Sequence, residues 1–290
     1  MVGLFSRKNK PLNEDETDAA VRKQGGQEVL SSPAAVQFIV GVGQSVGIER
    51  SHNEDTVFTL STLLHGNNKP LSLGIFMVAD GMGGHLSGEL ASGMAVQAAS
   101  THLIEHVTKP LLNTSGNSAE VEWLEVLENA VDKAQKSVLT QVPGGGTTLT
   151  IALVVNEVLF FAHVGDSRLY LMQEDGSLQI CTQDHSLVKR LVALGQISPA
   201  EAAVHPQRNV LYRALGQTEA FKPDLGSLAI GAGKRLMLCS DGLWGLVAQE
   251  RLGEIIKAYP NPVEACQALV EAANQAGGPD NISVILVQID

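Results

Sequence analysis

Apolar residues fall along this chain in short runs closed by Gly, Asp or Asn. From Ala34 onward, VQFIVGVGQSVG, LSLGIFMVAD, TTLTIALVVN, EVLFFAHVGD, SRLYLMQEDG, SLQICTQD, KRLMLCSDG and ISVILVQID each read as a β-type run. Within LVVNEVLFFAHVGDSRLYLMQEDGSLQIC, the pairs Asn156-Glu157, Gly165-Asp166 and Asp175-Gly176 supply turn chemistry, which predicts consecutive antiparallel hairpins. Three helical patterns interrupt the strands. They are LSGELASGMAVQAASTHLIEHV, then AEVEWLEVLENAVDKAQKSVL with Val121, Leu124, Leu127, Val131 and Ala134 at helical spacing, and NPVEACQALVEAANQAG before the last strand.

Strands in antiparallel series with helices in blocks predict an α+β fold, with sheets packed together and helices outside. Residues 186–217, SLVKRLVALGQISPAEAAVHPQRNVLYRALGQ, form a partly polar helical excursion between strands, a candidate lid or substrate flap. Residues 1–33 mix charged, Gly and Ser positions without sustained apolar periodicity and read as a flexible tail ahead of a single domain over 34–290.

Composition narrows the function classes. The 290 residues are 44% hydrophobic, enough for a substantial core, and the formal net charge of -11 argues against general nucleic-acid binding while suiting metal cations. Three cysteines, Cys181, Cys239 and Cys266, show neither disulfide nor zinc spacing and read as buried thiols in a reducing compartment. The start has no apolar leader and no run approaches the ~18 apolar residues of a membrane span, so the expectation is a soluble cytoplasmic protein without membrane partners.

The stretch GIFMVADGMGGHLSGELAS ends a buried strand in Asp80, with Gly81, Gly83 and Gly84 behind it. Glycines let the backbone turn sharply, so the Asp80 carboxylate and the next carbonyl can aim at one point, as a hard cation requires. An Asp-Gly pair after a strand is by itself a common hairpin signal. Here the arrangement recurs: Asp241-Gly242 closes LMLCSDGLWG, Asp280 stands ahead of NISVILV, and Asp166 occupies the turn of FFAHVGDSR. Carboxylates converging at buried strand mouths repel one another unless cations neutralise them.

Oxygen donors without Cys or an HExxH pair point to Mg²⁺ or Mn²⁺. Two ions sharing Asp80, about 3.5–4 Å apart, could hold a water between them and lower its pKa toward neutrality, making a nucleophile for phosphoryl transfer. In GIERSHNEDTVF, Arg50 could grip a phosphate while Glu54 and Asp55 hold metal-bound waters, although taken in isolation a surface ion pair is the favoured explanation of those charges. GVGQSVG has the wrong spacing for a dinucleotide loop, and PGGGTTLT lacks the Lys of a P-loop, so the latter reads as a tight turn into a strand begun by Thr147 and Thr148.

Taken in order, RSHNED, VADGMGGH, GGTTLT, HVGDSRLYL, TQDHSLV, SDGLWG and PDNISVILV resemble the metal-dependent Ser/Thr protein phosphatases of type 2C, in their bacterial form, over roughly Ala34 to Asp290. The resemblance implies a sandwich of two antiparallel sheets flanked by helices, with a binuclear Mn²⁺ or Mg²⁺ centre at one end. It implies that Asp80 bridges both ions, that the Gly81 carbonyl binds one, and that Asp241 and Asp280 hold the other. Glu54 and Asp55 would contact metal-bound waters, Arg50 the substrate phosphate, and Asp166 with Asp241 a third metal. Residues 186–217 match the family's flap.

Two positions depart from the pattern. Met82 stands where many eukaryotic relatives carry a His thought to protonate the leaving group, which leaves a metal-bound water or one of His52, His85 and His185 as acid. Gly245 replaces an Asp common after DGLW.

The implied activity is hydrolysis of phosphoserine and phosphothreonine in proteins, including a cognate Ser/Thr kinase, by a monomer. An acidic surface around the cleft would disfavour highly acidic substrates. No activated Ser or Cys nucleophile is apparent, so no phosphoenzyme is required. A catalytically inactive phosphoprotein-binding relative and a hydrolase of small phosphate esters are the alternatives.

Overall fold

Strand β3 (Leu71–Met82) is an almost unbroken apolar run because both of its faces are covered. Leu73, Ile75, Met77 and Ala79 point one way, into a core shared with helices α1 (Leu86–Leu103) and α2 (Trp123–Gln141). Phe76 and Val78 point the other way, between two sheets. The computed structural model describes residues 36–64, 70–83, 86–108 and 122–290. The tail read over residues 1–33, as well as Gly84, His85 and Val121, lies outside them.

Every strand pairing is antiparallel. One sheet runs β1 (Phe38–Ser45), β11 (Ile282–Ile289), β10 (Arg235–Cys239), β7 (Arg168–Met172), β8 (Leu178–Ile180). The other runs β2 (Asp55–Leu64), β3, β5 (Leu149–Val155), β6 (Val158–Val164), β9 (Asp224–Ala229), with β4 (Gly146–Thr147) added to the end of β3. Ala152, Val154 and Leu159 from one sheet meet Leu169, Leu236, Leu238, Ile285 and Val287 from the other. Helices α6 (Gln249–Ala258) and α7 (Pro262–Gln275) bury Leu252, Ile256, Cys266 and Leu269 on the outer face of the first sheet. The α+β sandwich flanked by helices is therefore the observed architecture.

Three sequence expectations need correction. Gly165-Asp166 does not close a hairpin, because β6 and β7 belong to different sheets. Gly165, at φ 111°, lies against Thr148, donates to His185 Nδ1 (3.0 Å) and accepts from the His185 amide (2.7 Å), which carries the chain across the sandwich. Strands β2 and β9 and helix α6 also exist where no element was read. Cys181 is half-buried, in contrast to Cys239 and Cys266.

The excursion over 186–217 holds two short helices, α3 (Leu187–Ala193) and α4 (Pro199–Ala203), the second opened by a Ser198–Glu201 capping box. Its feet are tied together: the Leu187 amide donates to Val210 O (2.8 Å) and the Tyr212 amide to His185 O (2.9 Å).

Candidate metal centre

The antiparallel register brings the carboxylates together. Asp55 opens β2 directly opposite Asp80 near the end of β3. Across the sandwich, β10 ends where β11 begins, Cys239 facing Val284, so Asp241 at the start of helix α5 (Asp241–Trp244) and Asp280 just before β11 emerge side by side. Asp166 arrives on the crossover between β6 and β7.

The Asp80 backbone is clamped from both sides of its peptide. Its amide donates to Thr148 Oγ1 (2.9 Å), and its carbonyl accepts from the Thr148 amide (2.9 Å) and Thr147 Oγ1 (2.9 Å). Thr147 and Thr148, read from sequence only as the start of a strand after a tight turn, thus hold the central residue of the cluster. Gly81 is required by close approach: a Cβ there would lie 2.2 Å from Gly88 O and 2.5 Å from Glu54 O, the carbonyl to which its own amide donates (3.2 Å).

Asn281 is the second residue that sequence reading passed over. Its Oδ1 accepts from the Glu54 amide (2.8 Å) and its Nδ2 donates to Val46 O (2.9 Å) and His52 O (3.0 Å). Its own amide donates to Asp280 Oδ1 (2.8 Å). One side chain therefore fastens the loop carrying Arg50, Glu54 and Asp55 to the strand that presents Asp280. The only sequence signal was an amide residue directly behind Asp280 and ahead of a buried strand.

The electrostatics are those of crowded anions. Burial, then the charges of Asp55, Asp241, Asp166 and Asp280, hold the Asp80 pKa well above its ordinary value. Burial and then Asp280 raise Asp241 to about 6, partly offset by its interaction with the Asp80 side chain. Burial raises Asp55 to about 7 despite hydrogen bonds from Ser283 and Ser240, and burial with Asp241 and Asp184 raises Asp166. Asp55 Oδ1 is buried with no hydrogen-bond partner.

Arg50 is the counter-charge. Its Nη2 donates to Asp280 Oδ2 at 2.9 Å, and its side chain remains 49% exposed. Burial alone would lower its pKa, but Asp280, Glu54 and Asp80 raise it. Glu54 rests its carboxylate against Gly88 and accepts from His52 Nε2 through Oε1 (3.1 Å).

The structure thus gathers Asp80, Asp55, Asp166, Asp241 and Asp280, and sets Glu54 and Arg50 at the edge. Among the described residues, no three His, Cys, Asp or Glu side chains are closed around one point. Arg50 holds Asp280. Crowded carboxylates with raised pKa values and an orphaned buried carboxylate oxygen fit a site for hard divalent cations, whose charge relieves both.

Of the histidines considered as acids, His185 is committed elsewhere. Its Nδ1 accepts from Gly165, so Nε2 carries the hydrogen and donates to Asp224 (3.0 Å), which Arg213 also grips (2.7 Å). Met82 faces Gly146. His52 sits beside Glu54.

A family model described as Protein phosphatase 2C matches residues 43–275. The chain is 38% identical over 247 residues to the serine/threonine phosphatase stp of Listeria monocytogenes, covering 83% of this chain and 92% of that one. It is 32% identical over 248 residues to protein phosphatase PhpP of Streptococcus pneumoniae, covering 84% and 95%. Among solved structures, the catalytic domain of the phosphatase PstP in complex with two manganese ions superposes with a TM-score of 0.71 at 32% identity, covering 88% of this chain and 99% of that one.

Proposed function

The chain belongs to the protein phosphatase 2C family, and on that premise we propose that its carboxylate cluster is the metal centre of a Ser/Thr protein phosphatase. The observation that carries the assignment is Asp80, clamped by Thr147 and Thr148 amid four other aspartates whose charges each raise its pKa.

In this reading Asp80 and the Gly81 carbonyl, with Asp241 and Asp280, would hold two Mn²⁺ or Mg²⁺ ions, and Asp166 with Asp241 would hold a third. Bound there, the ions supply positive charge for the phosphoryl group and a water acidified toward neutrality. The chain supplies position. Glu54 and the unpartnered Asp55 Oδ1 orient water at the cluster's edge. Arg50, joined to Asp280 through one nitrogen, keeps its remaining donors for the phosphate oxygens.

Water then attacks phosphorus in line with the departing Ser or Thr oxygen, and Arg50 stabilises the charge on the equatorial oxygens. With His185 bound to Gly165 and Asp224, the leaving oxygen takes its proton from solvent or from His52.

The same reading places the enzyme in the cytoplasm as a monomer of bacterial type acting on phosphoproteins that include a cognate Ser/Thr kinase. The cysteine spacing and the bacterial relatives support it, and among the described residues no helix is long and apolar enough to cross a membrane.

Phosphate release from a phosphothreonine peptide, measured with Mn²⁺, Mg²⁺ or EDTA, tests the proposal. Release that needs metal and disappears in a folded Asp80→Asn variant is expected. Unchanged turnover in that variant would rule out the assignment.

A further inference from the structure

A cavity of about 380 Å³ lies against the flap. Asp166 and Asp241 of the carboxylate cluster line it together with Asp184, whereas Arg50 and Asp280 do not. Val188, Val192 and Ala202, from α3 and α4, give it an apolar wall. Lys189 and Arg208, both exposed, stand among its lining residues; Arg208 has no anion of its own among the described residues, and Lys189 shares Asp184 with Arg168.

Neither cation is spent on Asp166 or Asp241. Arg208 makes no ion pair among the described residues, and the cation that acts on Asp166 is Arg168. Lys189 reaches only to 3.8 Å from Asp184, whose two oxygens Arg168 already holds at 2.8 and 2.7 Å. Arg168 in turn lies 3.4 Å over the Trp244 ring, and Trp244 Nε1 donates to Asp166 O (3.0 Å), so these groups are fixed independently of Arg208.

A chain with a net charge of -11 therefore keeps Arg208 uncommitted, and Lys189 only loosely paired with Asp184, around an apolar-walled cavity beside its reaction centre. We propose that this cavity is a specificity pocket that takes an acidic side chain, Asp or Glu, flanking the phosphoresidue of the substrate, with its methylenes on the apolar wall and its carboxylate on Arg208 and Lys189. The proposal rests on the phosphatase reading above. It also revises the expectation drawn from net charge, because acidic sequences are favoured on this side of the cleft rather than repelled.

The test is a set of phosphothreonine peptides carrying a single Glu, Ala or Lys at each of three positions on either side, hydrolysed with Mn²⁺ by wild type, Arg208→Ala and Arg208→Glu. Each enzyme is judged by its own ratio of kcat/KM for the Glu peptide over the Ala peptide, and melting temperatures show that the flap variants are folded. An ion pair at a partly shielded rim corresponds to a ratio of about 5 in wild type at one position or more. That ratio should fall to about 1 in Arg208→Ala, and Arg208→Glu should prefer Lys. A wild-type ratio near 1 at all six positions, or a preference that survives both substitutions, overturns the pocket assignment while leaving the phosphatase intact. Absence of turnover on every peptide by folded wild type overturns both.

Discussion

Removing metal should make the stability of this protein fall as pH rises, over an interval set by the buried aspartates. Asp55 ionises at about 7 in the fold instead of its ordinary 3.8, and Asp241 at about 6. Between 3.8 and those values the folded chain holds protons that the unfolded chain has released. The stabilising contribution is thus complete below the unfolded value and is lost as pH climbs through the folded one. For Asp55 the difference between 3.8 and about 7 corresponds to about 4 kcal/mol. The contribution of Asp241 is not added, because the two carboxylates act on each other.

Divalent cations remove this penalty by giving the ionised carboxylates a counter-charge, so Mn²⁺ should stabilise little at pH 5 and most at pH 7.5. Between pH 5 and 7.5 about 3 kcal/mol of this is lost, so with roughly 2–4 °C of melting temperature per kcal/mol for a domain of this size, the gap between Mn²⁺-loaded and EDTA-treated protein should widen by about 8 °C across that range. Melting curves at pH 5, 6, 7 and 7.5 measure it. Taking the difference at each pH cancels groups that act in the opposite sense, such as Asp224, which burial would raise but which His185 and Arg213 hold low. A Mn²⁺ gain that is equal at pH 5 and 7.5, or an EDTA-treated protein that grows more stable as pH rises, would refute the reasoning. Asp80→Asn replaces a buried carboxyl that the metal-free fold keeps protonated at a cost that grows with pH, so its EDTA-treated form should melt above EDTA-treated wild type at pH 7.5.

Two side chains outside the first reading of the site should prove costly to change. Thr148→Val leaves the Asp80 amide and Ser167 Oγ without their partner, which should cost about 2 kcal/mol and weaken the apparent Mn²⁺ affinity. Thr148→Ser restores the hydroxyl and should recover the affinity, and a Val variant with wild-type metal dependence would contradict the clamp. Asn281→Ala abandons the Glu54 amide and the carbonyls of Val46 and His52, so stability should drop by about 2 kcal/mol and KM for phosphopeptide should rise as the Arg50 loop loosens. Asn281→Asp, which cannot donate to those carbonyls, should behave similarly; a wild-type KM in both would detach Asn281 from phosphate positioning.

Much of the scaffold was legible because β3, β5, β10 and β11 are covered on both faces and so carry continuous apolar runs that end abruptly at polar residues. The carboxylates at those ends stood out for the same reason. Strand β2 was harder to see, since its burial alternates only weakly and its residues are largely half-buried. Helix α6 is amphipathic but short and broken by Gly253, which weakens its periodic signal.

Turn chemistry at Gly165-Asp166 reported a reversal without saying which sheet the next strand joins. That depends on hydrogen bonds from His185, 20 residues away. Distance in sequence also hid the pairing of Arg50 with Asp280, 230 residues apart, and the four bonds through Asn281. The threonines after PGGG looked only like the start of a strand because their hydroxyls act on a backbone peptide 67 and 68 residues earlier.

The central claim is that Asp80 and its neighbouring aspartates hold the catalytic metals. Anomalous difference maps from crystals of the wild-type protein soaked in Mn²⁺, recorded beside crystals of Asp80→Asn, test it most directly. Two strong peaks flanking Asp80 and within ligand distance of the Gly81 carbonyl, Asp241 and Asp280, lost in the variant, are the predicted result. Peaks elsewhere, or peaks at this cluster that persist unchanged without the Asp80 carboxylate, would contradict the account.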